Sequence, residues 1–181
     1  TPITPYALAL LASRAIQLTK EPGLGYYFGL HLKLSSHGAV GLAAMTAPTL
    51  RGAIDIATRF VGLRTPHLSL KHYVENDLGV LELVDVLPHG ALRVFATEAL
   101  CTAFSQIARS LLGRNVTGFV DMAFPEPAYF QGFAHLLPGA VRFNQEKNRI
   151  LFPRAMLDES LQMSDPVAAR QALSQCEAEL A

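Results

Sequence analysis

The sequence contains 181 residues, of which 50% are hydrophobic and 17% are charged, so the chain is long and apolar enough for one domain with a substantial core. Its 15 lysines and arginines balance 15 aspartates and glutamates, and the formal net charge is zero. The overall composition therefore shows no excess of the basic residues with which nucleic-acid-binding domains attract phosphates, and we do not expect this part of a protein to bind DNA by itself.

The first predicted elements are helices. Thr4 and Pro5 suit the N-cap and the first turn of a helix through YALALLASRAIQL. Pro22, Gly23 and Gly25 then interrupt the pattern. The stretch YYFGLHLKLSSHG combines the alternation of a strand with helical spacing, and we favour a helix there.

The segment TAPTLRGAIDIATRFVGL is the clearest helix in the sequence. Its apolar residues recur at helical spacing, whereas Asp55 and Arg59 form an i,i+4 charge pair on the opposite side. Gly62 is predicted to end this helix.

Two strands follow, HLSLKHYVE and LGVLELVDVL, which are joined at 76–77 by an Asn-Asp dipeptide typical of a β-hairpin turn. A two-residue turn places Lys71 opposite Glu82 and Leu70 opposite Leu83. In this register, opposite charges are paired across the strands and apolar side chains are paired with each other, so the predicted register is self-consistent. A one-residue bulge is the alternative that would shift this register.

A long helix is predicted over 91–112, after Pro88. One side of it is apolar, and the opposite side carries a narrow polar stripe: Glu98, Thr102, Ser105 and Arg109. The simplest interpretation of the stripe is a solvated helix face. The alternative is that the stripe borders a cavity, because the rest of this helix is nearly all apolar.

The last third of the chain is predicted to form strands and one helix. VTGFVDMAF is a strand ended by prolines, AYFQGFAHLLPG is an aromatic-rich connector, and residues 141–143 and 149–152 form a second hairpin. A final helix over 166–180 begins with Asp165 as its N-cap. This order of elements predicts an α+β fold, with an antiparallel sheet packed against several helices in a single domain.

The apolar side of the final helix has two interpretations. Its members recur at positions i, i+4, i+7 and i+11: Ala169, Leu173, Cys176 and Leu180. Such spacing suits either packing on the chain's own domain or a two-helix dimer seam.

The six histidines do not have the spacing of a metal site. His67 and His72 would face opposite sides of one strand, and the separation of His31 and His37 does not suit one side of a helix. The sequence has no HExxH motif, so no metal ligand is predicted. His72 shares a strand face with apolar residues, where it is either a half-buried histidine bonded to a backbone carbonyl or a polar anchor in an apolar ligand pocket.

Motifs of enzymes and cofactor sites are missing as well. There is no GxSxG, and GLGYYFG follows a helix rather than a strand, so neither a catalytic nucleophile nor a cofactor is expected. Cys101 and Cys176 stand far apart, which predicts no disulfide and suits a reducing, cytoplasmic setting. No apolar run is long enough for a membrane span, and no signal peptide is visible.

Two long stretches carry ordered motifs that can be compared with a known family. GLGYYFGLHLKLSSHGAVGLAAMTAPTLRGAIDIATRFVGL begins with spaced glycines and continues to a Thr-Leu pair and an alanine. YFQGFAHLLPGAVRFNQEKNRILFPRAMLDESLQMSDP has an aromatic pair, a V-x-F strand, an N-x-I-x-F strand and a Leu-Asp…Asp-Pro entry into a helix. In order and spacing, these motifs resemble the N-terminal regulatory domain of AraC-type transcription regulators of the arabinose-binding-like subgroup. The resemblance covers residues 4–175.

This resemblance implies the sensor and dimerisation module of a bacterial transcription regulator, not an enzyme. In such regulators a DNA-binding domain with two helix-turn-helix units follows, and we expect this chain to stop before it. Residues 1–163 would then be the effector-binding domain, and 164–181 a helix for dimerisation or for the link to that missing domain. The subgroup's label does not identify arabinose as the effector. The chain is also too helical at its front for the alternative fold, a cupin-like β-barrel with added helices.

Under this resemblance, a small-molecule effector is expected to enter a largely apolar pocket between the sheet and helix 91–112. The candidate contacts are His72, Tyr73, Arg93, Glu98 and Phe130. Binding would bias the terminal helix and thereby the spacing of paired DNA-binding domains. The expected partners are the effector, a second copy of the chain, and DNA through the missing domain only, with no membrane. The alternative is a protein-interaction domain that oligomerises without a small molecule.

Overall fold

The front of the chain is helical. In the computed structural model, which describes residues 4–65, 68–84 and 90–181, four α-helices come first: α1 (Pro5–Thr19), α2 (Leu24–His31), α3 (Gly38–Thr46) and α4 (Leu50–Arg64). A 3-10 helix, Leu34–His37, connects α2 to α3. The segment with mixed periodicity is therefore helical, as predicted.

Hydroxyl side chains begin two of these helices. The Thr4 side chain accepts a hydrogen bond from the backbone N–H of Ala7, and Thr49 does the same for Gly52, so each satisfies a donor that the helix itself leaves free. The prediction that Gly62 ends α4 was wrong, because the helix continues to Arg64. Gly62 does not adopt the positive φ with which glycine ends a helix, and it lies on an exposed face.

The first two strands form the predicted hairpin. β1 (Ser69–Glu75) and β2 (Leu78–Val84) pair antiparallel, with Leu70 opposite Leu83 and Lys71 opposite Glu82. The turn residues, 76–77, have φ angles of 48° and 64°, as a two-residue type I′ turn requires. This prediction is confirmed, without a bulge. His67, Pro88 and the predicted end of the second strand lie outside the described residues.

The second half contains the long helix, three strands and the final helix. These elements are α5 (Gly90–Leu112), β3 (Gly118–Asp121), β4 (Gly139–Arg142), β5 (Asn148–Pro153) and α6 (Pro166–Leu180). The aromatic-rich connector forms two short 3-10 helices, Phe130–Gly132 and Ala134–Leu136, and a third, Arg154–Asp158, follows β5. Asp165 caps α6 as predicted, since its carboxylate accepts from the backbone N–H groups of Val167 and Ala168.

The strands form one five-stranded sheet in the order β1-β2-β5-β3-β4. The predicted second hairpin, between 141–143 and 149–152, was wrong. β5 instead lies between β2 and β3 and is antiparallel to both, while β4 lies at the edge and runs parallel to β3. The apolar run of β5 explains its central place, because Ile150, Leu151 and Phe152 are all buried and therefore need cover on both faces.

The sheet is open, with β1 and β4 at its two edges. The predicted α+β class is confirmed, with the qualification that one strand pair is parallel, and the sheet does not close into a barrel. Leu70, Leu81, Ile150 and Val120 share one face of the sheet and belong to the main apolar core together with residues of α4 and α5. Among the helices of the described residues, none is long and apolar enough to cross a membrane.

Candidate functional site

A cavity of about 90 Å³ lies between α4, α5 and the inner face of the sheet. Its walls are almost entirely aliphatic or aromatic: Leu34, Ala44, Leu50, Ala53, Ile54, Ala57, Leu81, Phe104, Ser105, Ile107, Ala108, Leu111, Val116, Thr117, Pro138, Ile150, Phe152 and Met156. Only two of these residues carry a hydroxyl. One of them, Ser105, already donates its hydroxyl proton to the backbone carbonyl of Cys101 at 2.7 Å.

The helical repeat of α4 explains how one wall of the cavity forms. Leu50, Ala53, Ile54 and Ala57 follow the spacing i, i+3, i+4 and i+7, so they lie on one side of α4 and face the sheet and α5. Alanines at two of these four positions leave space that larger side chains would fill. A further alanine, Ala108, lines the cavity from α5.

The chemistry of the walls decides what the cavity can accept. Burial of apolar surface contributes about 25 cal/mol for each Å² removed from water, and cavities with apolar walls can bind small apolar molecules. A sugar would lose the hydrogen bonds that its hydroxyls make in water, at a cost of about 1–3 kcal/mol for each unpaired group. The cavity therefore suits an alkyl chain or a ring.

None of the five predicted ligand contacts lines this cavity. His72 and Tyr73 are neighbours in β1 and lie on opposite faces of the sheet. Arg93 lies in the first turn of α5. Glu98 and Phe130 border a different group of buried side chains, which lies where α2 crosses α5.

Of the five predicted contacts, His72 is the one whose partner in the neighbouring strand lines the cavity. Its ladder partner in β2 is Leu81, which lines the cavity, and its side chain is only 10% exposed. Nδ1 of His72 lies 3.4 Å from a carboxylate oxygen of Asp55 on α4. Nε2 is buried and has no hydrogen-bond partner among the described residues. One ring nitrogen of the imidazole therefore lies near a carboxylate, and the other is unpaired among the described residues.

Tyr73 belongs to the polar outer face of the sheet. Its hydroxyl donates to the carboxylate of Glu82 at 2.9 Å, and the Lys147 ammonium lies 3.2 Å from the same oxygen. Burial alone would raise the pKa of Glu82, but the hydrogen bonds from Tyr73 and Lys147 outweigh it and lower the pKa below its usual value. Tyr73 therefore serves this surface network and cannot share a pocket with His72.

Glu98 is buried, with 1% of its surface exposed. Oε1 accepts a hydrogen bond of 2.8 Å from the Tyr129 hydroxyl, whereas Oε2 has no partner among the described residues. Burial raises the pKa of Glu98 to about 7, against the opposing effect of the Tyr129 hydrogen bond. The interpretation of the polar stripe on α5 as a solvated face was wrong, because Thr102 and Ser105 are buried as well.

Close contact between α2 and α5 causes this burial. A Cβ atom on Gly25 would lie 2.6 Å from Oε2 of Glu98, and one on Gly29 would overlap the backbone carbonyl of Ala99. Glycines four residues apart on one helix allow such an approach, and this spacing is the sequence signal that could have revealed it. The sequence did not single out Tyr26, whose hydroxyl interacts electrostatically with the Glu98 carboxylate, and it gave no sign that Tyr129 in the aromatic-rich connector bonds to Glu98.

The four predicted dimerisation residues lie in different surroundings. Ala169 and Cys176 are buried in the chain itself, where α6 packs against α3, so these two side chains follow the alternative interpretation of the pattern. Leu173 is half-buried and packs on the main core, whereas Leu180 is 53% exposed. A dimerisation role for α6 stays a prediction, in which the exposed residues of the helix would contact a second copy of the chain.

Metal-ligating side chains are dispersed in the described ranges, where no group of three or more histidines, cysteines, aspartates or glutamates is placed to hold a metal ion. Cys101 and Cys176 are both buried free thiols. Burial, with a smaller contribution from Glu98, raises the pKa of the Cys101 thiol to about 12, which makes it a poor nucleophile.

Known proteins similar to this chain are transcription regulators. The ornithine utilization regulator of Pseudomonas aeruginosa is 30% identical over 172 residues, which cover 94% of this chain and 51% of that protein. An uncharacterised HTH-type transcriptional regulator of Mycobacterium tuberculosis is 27% identical over 166 residues, or 89% of this chain and 48% of that protein. The chain thus spans about half the length of the curated relatives that it matches.

The fold and a family model agree with these relatives. The crystal structure of the transcriptional regulator CdpR from P. aeruginosa matches with a TM-score of 0.74 at 16% identity, over 99% of this chain and 60% of that one, which shows a common fold. Residues 1–161 match the family model of the arabinose-binding domain of AraC transcription regulators, N-terminal. The chain therefore belongs to the family of N-terminal arabinose-binding domains of AraC transcription regulators.

Proposed function

We propose that this regulatory domain senses a small molecule and that the apolar part of the effector occupies the cavity between α4, α5 and the sheet. The observation that carries this proposal is the cavity itself, an aliphatic space inside a domain whose family is described as ligand-binding. The P. aeruginosa relative is named a regulator of ornithine utilization, which supports the control of small-molecule metabolism. In this proposal, the domain has a regulatory rather than a catalytic role, and the protein is located in the cytoplasm.

His72 is our candidate for the polar anchor of the effector. Its unpaired Nε2 is buried on the sheet face that also carries Leu81, and its Nδ1 lies 3.4 Å from a carboxylate oxygen of Asp55. The free nitrogen of such an imidazole can accept a hydrogen bond or, when protonated, donate one to a carbonyl or carboxylate oxygen. Of the five predicted contacts, we retain His72 for this cavity, because Tyr73, Arg93, Glu98 and Phe130 lie elsewhere.

In this proposal, α4 transmits the effect of effector binding from the cavity to α6. Ala53, Ile54 and Ala57 line the cavity, and the last turn of the same helix is tied to α6 by an ion pair of 2.8 Å between Arg64 and Glu179. A second pair joins Arg59 to Glu177 at 3.2 Å. Because an effector shifts an equilibrium only through contacts that differ between two states, an occupied cavity would bias the position of α4 and, through it, of α6.

We further propose that residues 164–181 connect residues 1–163 to a DNA-binding domain and take part in a homodimer. The relatives are longer than this chain, and two of them are named HTH-type regulators. In this arrangement DNA is bound only through the further domain, since the net charge of the present chain is zero.

Binding of toluene tests the cavity proposal. Ligand-observed NMR with the 181-residue chain should detect saturable binding of toluene, which fits an apolar cavity and needs no polar partner. The substitution Ala57→Leu places a larger side chain in the cavity and should abolish this binding. The matched substitution Ala7→Leu on the exposed side of α1 should leave it unchanged. Equal toluene binding by the wild type and the Ala57→Leu variant would contradict the proposal.

A second candidate function is a protein-interaction domain without a small-molecule ligand. The favouring observation is α1, which exposes four large apolar side chains: Tyr6, Leu10, Leu11 and Leu18. Analytical ultracentrifugation and toluene binding together separate the two candidates. The second candidate predicts an oligomer that Leu10→Glu dissociates and no saturable binding of toluene, whereas the first predicts saturable toluene binding that Leu10→Glu leaves unchanged.

A further inference from the structure

The walls of the apolar cavity are unevenly buried. Its lining residues from α3, α4, β2 and β5 are buried, apart from the half-buried Ala57. The lining residues at the second half of α5 and just before β3 and β4 are mostly half-buried or exposed: Phe104, Ile107, Ala108, Val116, Thr117 and Pro138. The cavity therefore has a closed end at α4, β2 and β5 and a more open end beside α5, β3 and β4.

Thr117 and Pro138 lie beside each other at this open end. β3 and β4 run parallel, and their first residues, Gly118 and Gly139, are partners in the register. Thr117 and Pro138 directly precede these two glycines, and both line the cavity. Among the lining residues that the structure describes, Thr117 alone is exposed, and Pro138 is half-buried. The cavity thus comes closest to the solvent between these two side chains.

Close backbone contacts fix the position of the two strands at this end. A Cβ atom on Gly118 would overlap the backbone carbonyl oxygen of Leu151, and one on Gly139 would overlap that of Gly118. Gly139 also has a φ of 135°, which residues with a side chain rarely adopt. The first pair of the β3–β4 ladder therefore carries no side chains, and the separation of Thr117 from Pro138 is set by the backbone.

The closed end of the cavity lies towards His72. Leu81 and Ile150 are ladder partners that line the cavity, and His72 pairs with Leu81 on its other side. Val120 pairs with Ile150, and Thr117 comes three residues before Val120. With about 4.8 Å between strands and about 3.3 Å for each residue along a strand, His72 and Thr117 are roughly 17 Å apart. The two residues therefore mark opposite ends of the cavity region.

We propose that Thr117 and Pro138 form the entrance of the cavity, and that the effector is an elongated molecule whose inner end points towards His72 and whose outer end stays in the solvent beside Thr117. This entrance serves the cavity of the proposed function and rests on it. A ring or alkyl segment occupies the space between the two ends, where the walls are apolar. A polar group at the outer end keeps its hydrogen bonds with water, so it is not buried without a partner.

Thr117 is the position at which the width of this entrance can be changed with the least effect on the fold. Its side chain is exposed, and it precedes the first residue of β3. Substitutions at exposed positions outside the core have small effects on stability. Larger side chains at the buried lining residues, such as Ile54 or Ile150, would instead overpack the core. A large residue at position 117 therefore tests the entrance separately from the cavity.

The probe for the entrance is 4-phenyl-1-butanol, whose ring can occupy the cavity while its hydroxyl end stays outside, and toluene reports on the cavity alone. Ligand-observed NMR with the 181-residue chain should show saturable binding of both. Thr117→Trp should weaken the binding of 4-phenyl-1-butanol by about tenfold or more, because the indole narrows the passage for the chain, and should change that of toluene by less than about threefold. Ser110→Trp is the matched control, exposed on α5 and not part of the cavity wall, and it should leave both affinities unchanged.

Intermolecular NOEs in the wild type decide the matter even if Thr117→Trp does not fold. The ring protons of 4-phenyl-1-butanol should contact the methyl groups of Ile150, and the CH₂ group next to its hydroxyl should contact the methyl group of Thr117. The reverse pattern of NOEs would overturn the proposed entrance, as would unchanged binding of 4-phenyl-1-butanol by Thr117→Trp. The entrance alone is wrong if the wild type binds toluene but not 4-phenyl-1-butanol, whereas absence of toluene binding overturns the cavity of the proposed function and the entrance with it.

Discussion

The hydroxyl of Tyr129 donates a 2.8 Å hydrogen bond to Oε1 of Glu98, and this bond ties the aromatic connector after β3 to the middle of α5. It is the one hydrogen bond that the Glu98 carboxylate makes within the described residues, and the rest of the carboxylate is enclosed by α2. The stability of this region is therefore coupled to a single tyrosine.

Replacement of Tyr129 by Phe should destabilise the domain by about 1–3 kcal/mol, because it leaves a buried acid without its partner. The free energy of unfolding is measured by urea denaturation at pH 8. Tyr27→Phe is the matched control, since Tyr27 is exposed, and it should change the free energy by less than about 0.5 kcal/mol. Equal stabilities of the two variants would show that the Tyr129 bond contributes nothing.

The stability of the domain should depend on pH through Glu98. Its pKa is about 7 in the folded chain, against the ordinary value of 4.5 for a glutamate, so the folded state binds the proton more tightly than the unfolded state. The stabilisation is complete below about pH 4.5 and is lost as the pH rises through 7, with a total of at most about 3 kcal/mol. Comparison with Glu98→Gln at pH 5 and pH 8 isolates this contribution from that of the histidines. If the difference in unfolding free energy between the two proteins is the same at both pH values, Glu98 does not have a raised pKa.

A methyl group on Gly29 should separate α2 from α5. Because the added carbon would overlap the carbonyl of Ala99, we expect Gly29→Ala to destabilise the domain by about 1–3 kcal/mol. Gly62→Ala is the control in α4, where no atom lies within 4 Å of the added carbon and the backbone is helical, and it should stabilise by about 0.5–1 kcal/mol. Thermal unfolding of both variants distinguishes close helix packing from a general effect of glycine.

Loss of Arg64 should loosen α6 without unfolding the domain. Its guanidinium contacts the backbone carbonyl of His37 at 3.1 Å and the carboxylate of Glu179 at 2.8 Å, so it holds the ends of α4 and α6 together. We expect Arg64→Ala to increase amide hydrogen exchange in the last turns of α6, at a cost in stability of about 1 kcal/mol or less. Arg170→Ala, on the exposed side of α6, should leave the exchange unchanged. Unaltered exchange in the Arg64 variant would remove the proposed link from α4 to α6.

Local chemistry explains which parts of the fold could be predicted from the sequence. The turn at 76–77 and the pairs formed by Lys71 and Glu82, and by Leu70 and Leu83, depend on residues close in sequence, and the hairpin is as predicted. The insertion of β5 between β2 and β3 depends on contacts between distant segments. Residues 141–143 and 149–152 had the spacing of a hairpin, but the burial of β5 on both faces determined its place.

The site was less predictable than the fold for two physical reasons. The cavity exists because Ala53, Ala57 and Ala108 leave space, and missing volume has no signature in hydrophobic periodicity. The burial of Glu98 is caused by another helix, so the polar stripe on α5 could not by itself reveal whether water or α2 covered it. Only the glycine spacing in α2 carried that information.

In the proposed function, the cavity between α4, α5 and the sheet receives the apolar part of an effector. Methyl-resolved NMR during a toluene titration tests it directly, because Ile54, Leu81 and Ile150 line the cavity while Leu10 and Leu18 are exposed on α1. We expect saturable shifts of the methyl resonances of the first three residues, with the two surface leucines unchanged. Cavity resonances that stay still, or shifts of equal size at both sets of residues, would contradict it.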